Sequence, residues 1–530
     1  MNFDIFEMLG KKIPKYIKVC IISGLVTGLL THFYMLTHKL PNWDDVNNMS
    51  QPGSGDYLGR WMLKYLHPLG SEYSIPAVHG FLMILFLTLA ACFVLEIVQT
   101  KSLYAAVLVP ALMVTFPSVA CTMTFMFMAH TSGMAILMIC VAVYLLRRYK
   151  YGWLPCSLLL IGALGIYQSY ISIGIALMLM GMIVDILKGE QFKDTLKKGI
   201  ICVIVLLASV VIYMALCHVI YPAIDQETYG GVGNMGQIAV TEMPRLIGRC
   251  YKRFLEYFIW KPFDFVSKTA QYANILICIA LGGIFVYLLI IKKIYKDILR
   301  FILCICLIGF LPLAVAFVYF MAPEVDYSML MLYAYVLIYV MLVALVEVCM
   351  EYWKGQKKGK KASEYVRYMV VAAVAIVLFV SCYTDYLITN QAYLRMEVTK
   401  DRVTSYYNRI IASVETMDGF QNGDPVAFLG EFYYVDNPSP LETESLESFG
   451  TDIFRTMSGV TLENGLLTSG VRNNVIRTYI GFEMTDLSAK EKEEIMSSEK
   501  YQSMPIYPTE GSIQQINGIW IVKLCENNAE

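Results

Sequence analysis

The sequence predicts a polytopic α-helical membrane protein of about eleven spanning helices, completed by a small extracytoplasmic α/β domain at the carboxy end. Three observations carry that expectation. Hydrophobic residues make up 57% of the chain and charged residues 16%, against roughly 45–50% and 25% in soluble domains. Apolar stretches recur at lengths near the ~20 residues that cross ~30 Å of hydrocarbon. Lysine and arginine collect in alternate connections, as retention of positive charge on the cytoplasmic side requires. The net charge of −1 leaves no basic surplus for nucleic acid, so the charges have to be read by position.

The first apolar stretch, 16–37, follows Lys11, Lys12, Lys15 and Lys18 in the manner of a signal peptide. It is long enough to span, and no small-residue cleavage site follows it, so it reads as the first spanning helix. Further candidates lie at 76–98, 102–118, 122–146, 152–167, 170–187, 199–221, 272–291, 299–320, 328–349 and 366–386. The fifth and sixth are parted only by Tyr167-Gln168-Ser169-Tyr170. One parity places every basic connection inside: the amino-terminal lysines, Lys101, Arg147-Arg148-Tyr149-Lys150, Lys188 to Lys198, Lys292 to Arg300, and Lys354 to Lys361. The amino terminus is then cytoplasmic, and an odd number of crossings puts the chain after Asp385 outside. The expected division is a transmembrane domain over 1–386, with external loops at about 37–75 and 221–272, and an external domain over 387–530.

Most of the fourteen cysteines fall within or beside apolar stretches and read as small apolar fillers. Cys250 and Cys525 lie outside the expected membrane region and could pair; no CxxC or Cys/His metal spacing occurs. In the tail, Tyr393, Val398, Val403 and Ile410 mark a helix, while Pro425 to Gly430 and Gly518 to Leu524 read as strands. The tail carries no catalytic signature.

The external loops hold the chemistry. Asp44-Asp45 follows the first span almost directly, where charge near lipid is costly; a helix cap is the plainer reading of such a pair. From Tyr57 to Leu69 the apolar residues Leu58, Trp61, Met62, Tyr65, Leu66 and Leu69 predict an amphipathic interfacial helix. Arg60, Lys64 and His67 would form its cationic ridge facing water or headgroups. The later loop repeats the device, with Arg245, Arg249, Lys252 and Arg253 opposite a stripe of Leu246, Cys250 and Phe254. Such a cluster suits a lipid-linked phosphate or, less specifically, any anionic lipid. Tyr167 and Gln168 are candidates to line a sugar or acceptor site, or to anchor a helix end at the interface. Glu324 and Asp326 form a second external acidic pair. Asp185, Glu347 and His218 read as interfacial, and His130 as a packed, hydrogen-bonded histidine.

Acids and cationic helices at one membrane surface suit a reaction in which an acceptor hydroxyl loses a proton while a lipid phosphate leaves. Asp44 or Asp45 would be the base, or would hold a divalent cation, Mg or Mn. On its Asp44-Asp45, Gly59-Arg60-Trp61 and Tyr167-Gln168-Ser169-Tyr170 motifs and its layout over roughly the first 390 residues, the chain resembles the GtrII-type glucosyltransferases of the GT-C superfamily. The resemblance implies a GT-C-like catalytic domain with an outward active site and a polyprenyl-phosphate sugar donor. It also implies inverting transfer of glucose or a related hexose to a cell-surface glycan. By the same resemblance Asp44 or Asp45 is the base and Arg60 the first phosphate contact. The expected partners are that donor, a glycan acceptor and the bilayer of the cytoplasmic membrane. A transporter or flippase of lipid-linked saccharide is the alternative; it calls for broken or charged mid-membrane helices repeated between two halves, which the sequence does not display. A noncatalytic surface assembly or sensor protein would leave Asp44-Asp45 and the two basic helices without a purpose.

Overall fold

A computed structural model describes residues 13–50, 58–220, 239–260, 263, 265–322, 329–355, 361–431, 457, 459–460 and 463–525. The chain divides into two compact units. One comprises Met1–Lys39, Gln51–Asn390 and Thr456–Ser458; the other comprises Leu40–Ser50, Gln391–Arg455 and Gly459–Glu530.

The first unit is a helical bundle. Its helices are α1 (Lys15–Thr37), α3 (Leu63–Leu66), α4 (Pro76–Ile97), α5 (Leu103–Thr115), α6 (Pro117–Thr124), α7 (Met126–Arg148), α8 (Trp153–Leu164), α9 (Ile171–Lys188), α10 (Phe192–Ile220), α11 (Met243–Leu255), α12 (Lys268–Ile291), α13 (Ile298–Val315), α14 (Val336–Lys354) and the first part of α15 (Lys361–Glu415). The number α2 belongs to Trp43–Asn47, in the second unit. Among the described residues nine helices are long and apolar enough to cross a membrane, or ten if the bent pair α5–α6 counts as one span. That pair bends by 42° because Pro117 holds Phe116 in extended backbone, with ψ 135°. The remaining expected crossing, 152–167, is the 12-residue α8, only ~18 Å of helix.

Contacts at the two ends of the bundle show what α8 does. At one end the Tyr16 hydroxyl donates to Glu96. At that end too, Asp185 accepts from Arg147 at 2.9 Å and from Lys198 at 3.0 Å, and Lys188 pairs with Glu351 at 2.8 Å. Glu347 accepts the backbone N–H groups of Lys101 and Ser102. The connections at Lys101, Arg147 to Lys150 and Lys188 to Lys198 therefore share one end with acids that partner them. α8 starts there, with Gly152 packed on the Leu145 carbonyl, and finishes at Gly165 under the Trp61 ring, in the segment that precedes α4. A short helix and an irregular turn thus link the two ends.

Burial ranks the helices. The most apolar stretch of α14 is 94% buried and that of α9 89%, whereas that of α10 is 11% buried and turns Val203, Leu207 and Val211 outward. Such a rim, apolar and unpacked, is what lipid contact demands. The α1–α4 pair closes through small residues: a Cβ on Gly24 would lie 2.6 Å from Thr88 Oγ1, and one on Gly28 would lie 2.5 Å from Ile84 Cγ2.

In the second unit, a three-stranded sheet has the order β1-β3-β2, with β1 (Val426–Leu429) parallel to β3 (Ile519–Lys523) and β2 (Ile513–Ile516) antiparallel to it. β1 and β3 fall where the apolar pattern predicts strands, whereas β2 is unexpected, because its Gln514-Gln515 centre dilutes that pattern. Asn517 and Gly518, at φ 51° and 82°, close the β2–β3 hairpin in the left-handed conformations that a tight primed turn needs. The core joins Ala427, Leu429, Ile516 and Ile521 to Ile495 and Tyr501. Of the expected tail helix, Tyr393, Val403 and Ile410 are buried on the later turns of α15, while Val398 is half-buried.

Gly28→Leu should overpack the α1–α4 interface and cost about 1–3 kcal/mol. The apparent melting temperature of the purified protein in detergent checks this; an unchanged value would mean that the two helices are not packed through this face.

Candidate functional site

Three neighbourhoods carry the described residues singled out from the sequence, one in the second unit and two in the first. In the second unit, Asp44 and Asp45 occupy the first turn of the five-residue helix α2. Asn42 caps it, its side-chain oxygen accepting the Asp45 N–H at 2.8 Å, and acids in a first turn also suit the helix dipole. Asp45 has no exposed surface, whereas Asp44 is half-buried.

What holds α2 is the tail. Trp43 packs on Gly465, where a Cβ would lie 2.5 Å from the indole. Asn47 accepts from Asn474 at 2.9 Å and donates to the Gly470 carbonyl at 3.4 Å. These partners lie on or beside α16 (Glu463–Leu467) and α17 (Ser469–Val475). The Tyr479 hydroxyl, buried just beyond α17, has its pKa raised by desolvation first and then by the negative charge of Asp45. A segment next to the first span thus depends on residues more than 400 positions later, and no local sequence signal announces that. Arg472 of α17, 4% exposed, donates to the carbonyls of Gly430 at 2.9 Å and Phe428 at 2.8 Å, tying α17 to β1. Burial lowers its pKa.

In the first unit, the two other quoted motifs meet. Gln168 donates through Nε2 to the Leu58 carbonyl at 2.6 Å and to the Tyr213 hydroxyl at 2.8 Å, and that hydroxyl donates to the Gly59 carbonyl at 3.0 Å. The Met62 N–H donates to the Gly165 carbonyl at 2.9 Å. Gly59 is required twice over: its φ is +72°, and a Cβ would lie 2.6 Å from the Tyr213 oxygen. Arg60 then lies with its guanidinium carbon 4.8 Å above the Tyr167 ring. Its Nε is buried without a hydrogen-bond partner, as is Trp61 Nε1. The fixed turn thus holds two buried N–H groups, Arg60 Nε and Trp61 Nε1, while the two side chains as a whole are half-buried. Tyr213, on α10, had no sequence signal of its own; it lies within an apolar run of a span.

The amphipathic stretch differs from its expected form. Instead of one helix over 57–69, the chain makes a turn at Gly59, the short α3, and a 3₁₀ turn at His67–Leu69. Gly59, Leu63 and His67 face inward, so Lys64 is exposed while His67 leaves the expected water-facing ridge. His67 instead joins His79 and His130, with ring centroids 5.9 and 5.6 Å away, and those two stack at 4.4 Å. His79 donates through Nδ1 to the Met126 carbonyl at 3.1 Å, and His130 through Nε2 to the His67 carbonyl at 3.2 Å. Three of the six histidines in the chain form this cluster.

The second basic helix, α11, buries Leu246, Cys250 and Phe254 as its stripe predicts. Arg245, Lys252 and Arg253 are exposed and Arg249 is half-buried. Arg253 pairs with Glu256 at 2.9 Å and lies 5.8 Å above Tyr319; Lys252 reaches Glu256 at 3.8 Å. Glu256 therefore offsets part of the cluster's charge, and at such exposure each pair stabilises the helix by only about 0–1 kcal/mol. The following Tyr257 and Phe258 seat the helix on Tyr335, with ring centroids 5.0 and 5.7 Å away. Glu324 and Asp326 lie outside the described residues. Among the described residues no His, Cys, Asp and Glu side chains are grouped to hold a metal ion. Cys250 and Cys525 are not joined in a disulfide.

Desolvation lowers the pKa of His67, against a hydrogen bond from its ring to Phe127 that raises it. The unfolded ring titrates near 6.5, so below about that pH the unfolded state takes up a proton that the folded state refuses, and stability falls as the pH drops toward the folded value. Between pH 7.5 and 5.5 the melting temperature of the parent should fall further than that of His67→Gln; parallel losses would refute this role.

A family model described as Glucosyl transferase GtrII matches residues 33–346, more than half of the chain, and that range includes every site residue named above from Asp44 to Asp326. No curated protein and no solved structure matches.

Proposed function

We infer the function from one premise: this chain belongs to the GtrII glucosyl transferase family and is a multi-pass membrane glycosyltransferase. The donor proposed is a polyprenyl-phosphate sugar carrying glucose or a related hexose, and the acceptor a cell-surface glycan at the outer face of the cytoplasmic membrane. The orientation follows from the charge parity of the loops, with the amino terminus cytoplasmic and the tail outside. Residues 1–386 form the GT-C-like domain in this reading and 387–530 the external domain, with the proviso that segment 40–50 folds with the tail.

The single observation that supports this most is the Gly59-Arg60-Trp61 turn locked against Gly165 and Gln168, with polar hydrogens of Arg60 and Trp61 left over. In inverting transfer the acceptor oxygen attacks the anomeric carbon, and the bond from that carbon to the phosphate oxygen breaks. The leaving polyprenyl phosphate gains a negative charge. Arg60, Lys64 and the Arg245, Arg249, Lys252 and Arg253 group are the proposed contacts for that charge, which grows toward the transition state. The acceptor proton passes to an aspartate. Burial favours Asp44 over Asp45 for this task, because a base has to reach the hydroxyl it deprotonates. A divalent cation held by the pair is the other use of these carboxylates. Tyr167, Gln168, Glu324 and Asp326 are proposed to line the sugar and acceptor.

In a transfer assay with labelled polyprenyl-phosphate glucose, Asp44→Asn should lower kcat by roughly 10²–10⁴-fold, with an unchanged melting temperature. Full activity in both Asp44→Asn and Asp45→Asn would remove the aspartate base. Arg60→Gln should slow transfer by about 10²-fold or more, the scale on which removing one preorganised donor acts, and the rate at saturating donor checks it.

A further inference from the structure

Away from these residues, a cavity of about 450 Å³ opens between α12, α14 and the start of α15. Gly283, Ile284, Val346, Cys349, Val370 and Val371 make its apolar walls. Its mouth is different in kind. There Trp353 Nε1 donates to the Tyr287 hydroxyl at 3.0 Å, and the Arg367 guanidinium carbon lies 5.6 Å above the Trp353 ring. Lys292 lies 5.3 Å above the neighbouring Tyr352 ring. Glu351, the acid nearest Trp353 in sequence, is already paired with Lys188, and Glu364 lies three residues before Arg367 on α15.

The wall at Gly283 is empty of protein: a Cβ there would meet nothing within 4 Å. Glycine inside a helix is disfavoured, and among the described residues no side chain uses the room it leaves. The cavity has the volume of a small-ligand site. An apolar body that ends in an aromatic pair and a cation matches a molecule with an acyl chain and an anionic head at the membrane interface.

We propose that this cavity holds an anionic glycerophospholipid, with an acyl chain along Gly283, Val346 and Val370 and the phosphate at Arg367 beside Trp353 and Tyr287. This site is separate from the donor residues and rests on none of them. With the orientation proposed above, it opens to the cytoplasmic leaflet.

Native mass spectrometry of the delipidated full chain in detergent tests it, titrated separately with phosphatidylglycerol, phosphatidylcholine of the same acyl chains, and the water-soluble headgroup glycerophosphoglycerol. Phosphatidylglycerol should bind at least about fivefold more tightly than phosphatidylcholine, the factor that one cation near the surface contributes. Arg367→Gln should erase that preference, and Gly283→Leu should remove the adduct by filling the cavity. Gly282→Leu, next along the helix and equally open, controls for the effect of a leucine on α12 and should bind as the parent does. Equal binding of the two lipids by the parent, an adduct unaffected by Gly283→Leu, or headgroup binding as tight as that of the lipid would each overturn the proposal.

Discussion

Inside hydrocarbon every backbone N–H and C=O must find a partner within the protein, so a break in a helix survives only where something answers the groups it frees. In the membrane unit that constraint centres on Gln168 and Tyr213. Their polar atoms answer the carbonyls of Leu58 and Gly59 just where the chain departs from helical form. The Met62 N–H in turn answers Gly165, at the break between α8 and α9. Two irregular segments that would each be costly alone satisfy one another. The position of Arg60 follows from that exchange, because the left-handed turn at Gly59 sends the next side chain over Tyr167.

A similar logic governs the acidic helix. Asp45 is fully buried, which a carboxylate tolerates only with compensation. The tail holds the helix that carries it, through Trp43 on Gly465 and Asn47 with Asn474 and Gly470, and the Asp45 charge helps to raise the pKa of the Tyr479 hydroxyl. The tail, without a catalytic motif of its own, thereby becomes the scaffold of the residues proposed to be catalytic. Truncation of the tail would remove the support of α2, which is a structural reason to regard the two as one functional part.

Much of the fold was legible because its signals are local. Hydropathy located nine or ten of the eleven expected spans, the stripe of Leu246, Cys250 and Phe254 located α11, and Ile519 to Lys523 read as a strand. The bend at Phe116 was not resolved, since a proline at a helix start and one between two spans look alike in a hydropathy pattern. The site was less legible. Gly59-Arg60-Trp61 and Tyr167-Gln168 could be quoted, but their contact spans about 110 residues and depends on Tyr213, an unremarked member of an apolar run. His67 shows the opposite failure: its helical spacing from Arg60 and Lys64 pointed to water, whereas the turn at Gly59 rotates it inward onto His79 and His130.

Outward transfer of a sugar from a lipid phosphate, as proposed, is tested most directly with the purified protein in sealed vesicles. Supplied with polyprenyl-phosphate glucose labelled in the sugar and with a glycan acceptor, it should move label to the glycan. The new bond should have the opposite anomeric configuration, and one polyprenyl phosphate should be released per bond formed. Label that stays on the lipid and only changes leaflet would contradict the account and identify the protein as a transporter.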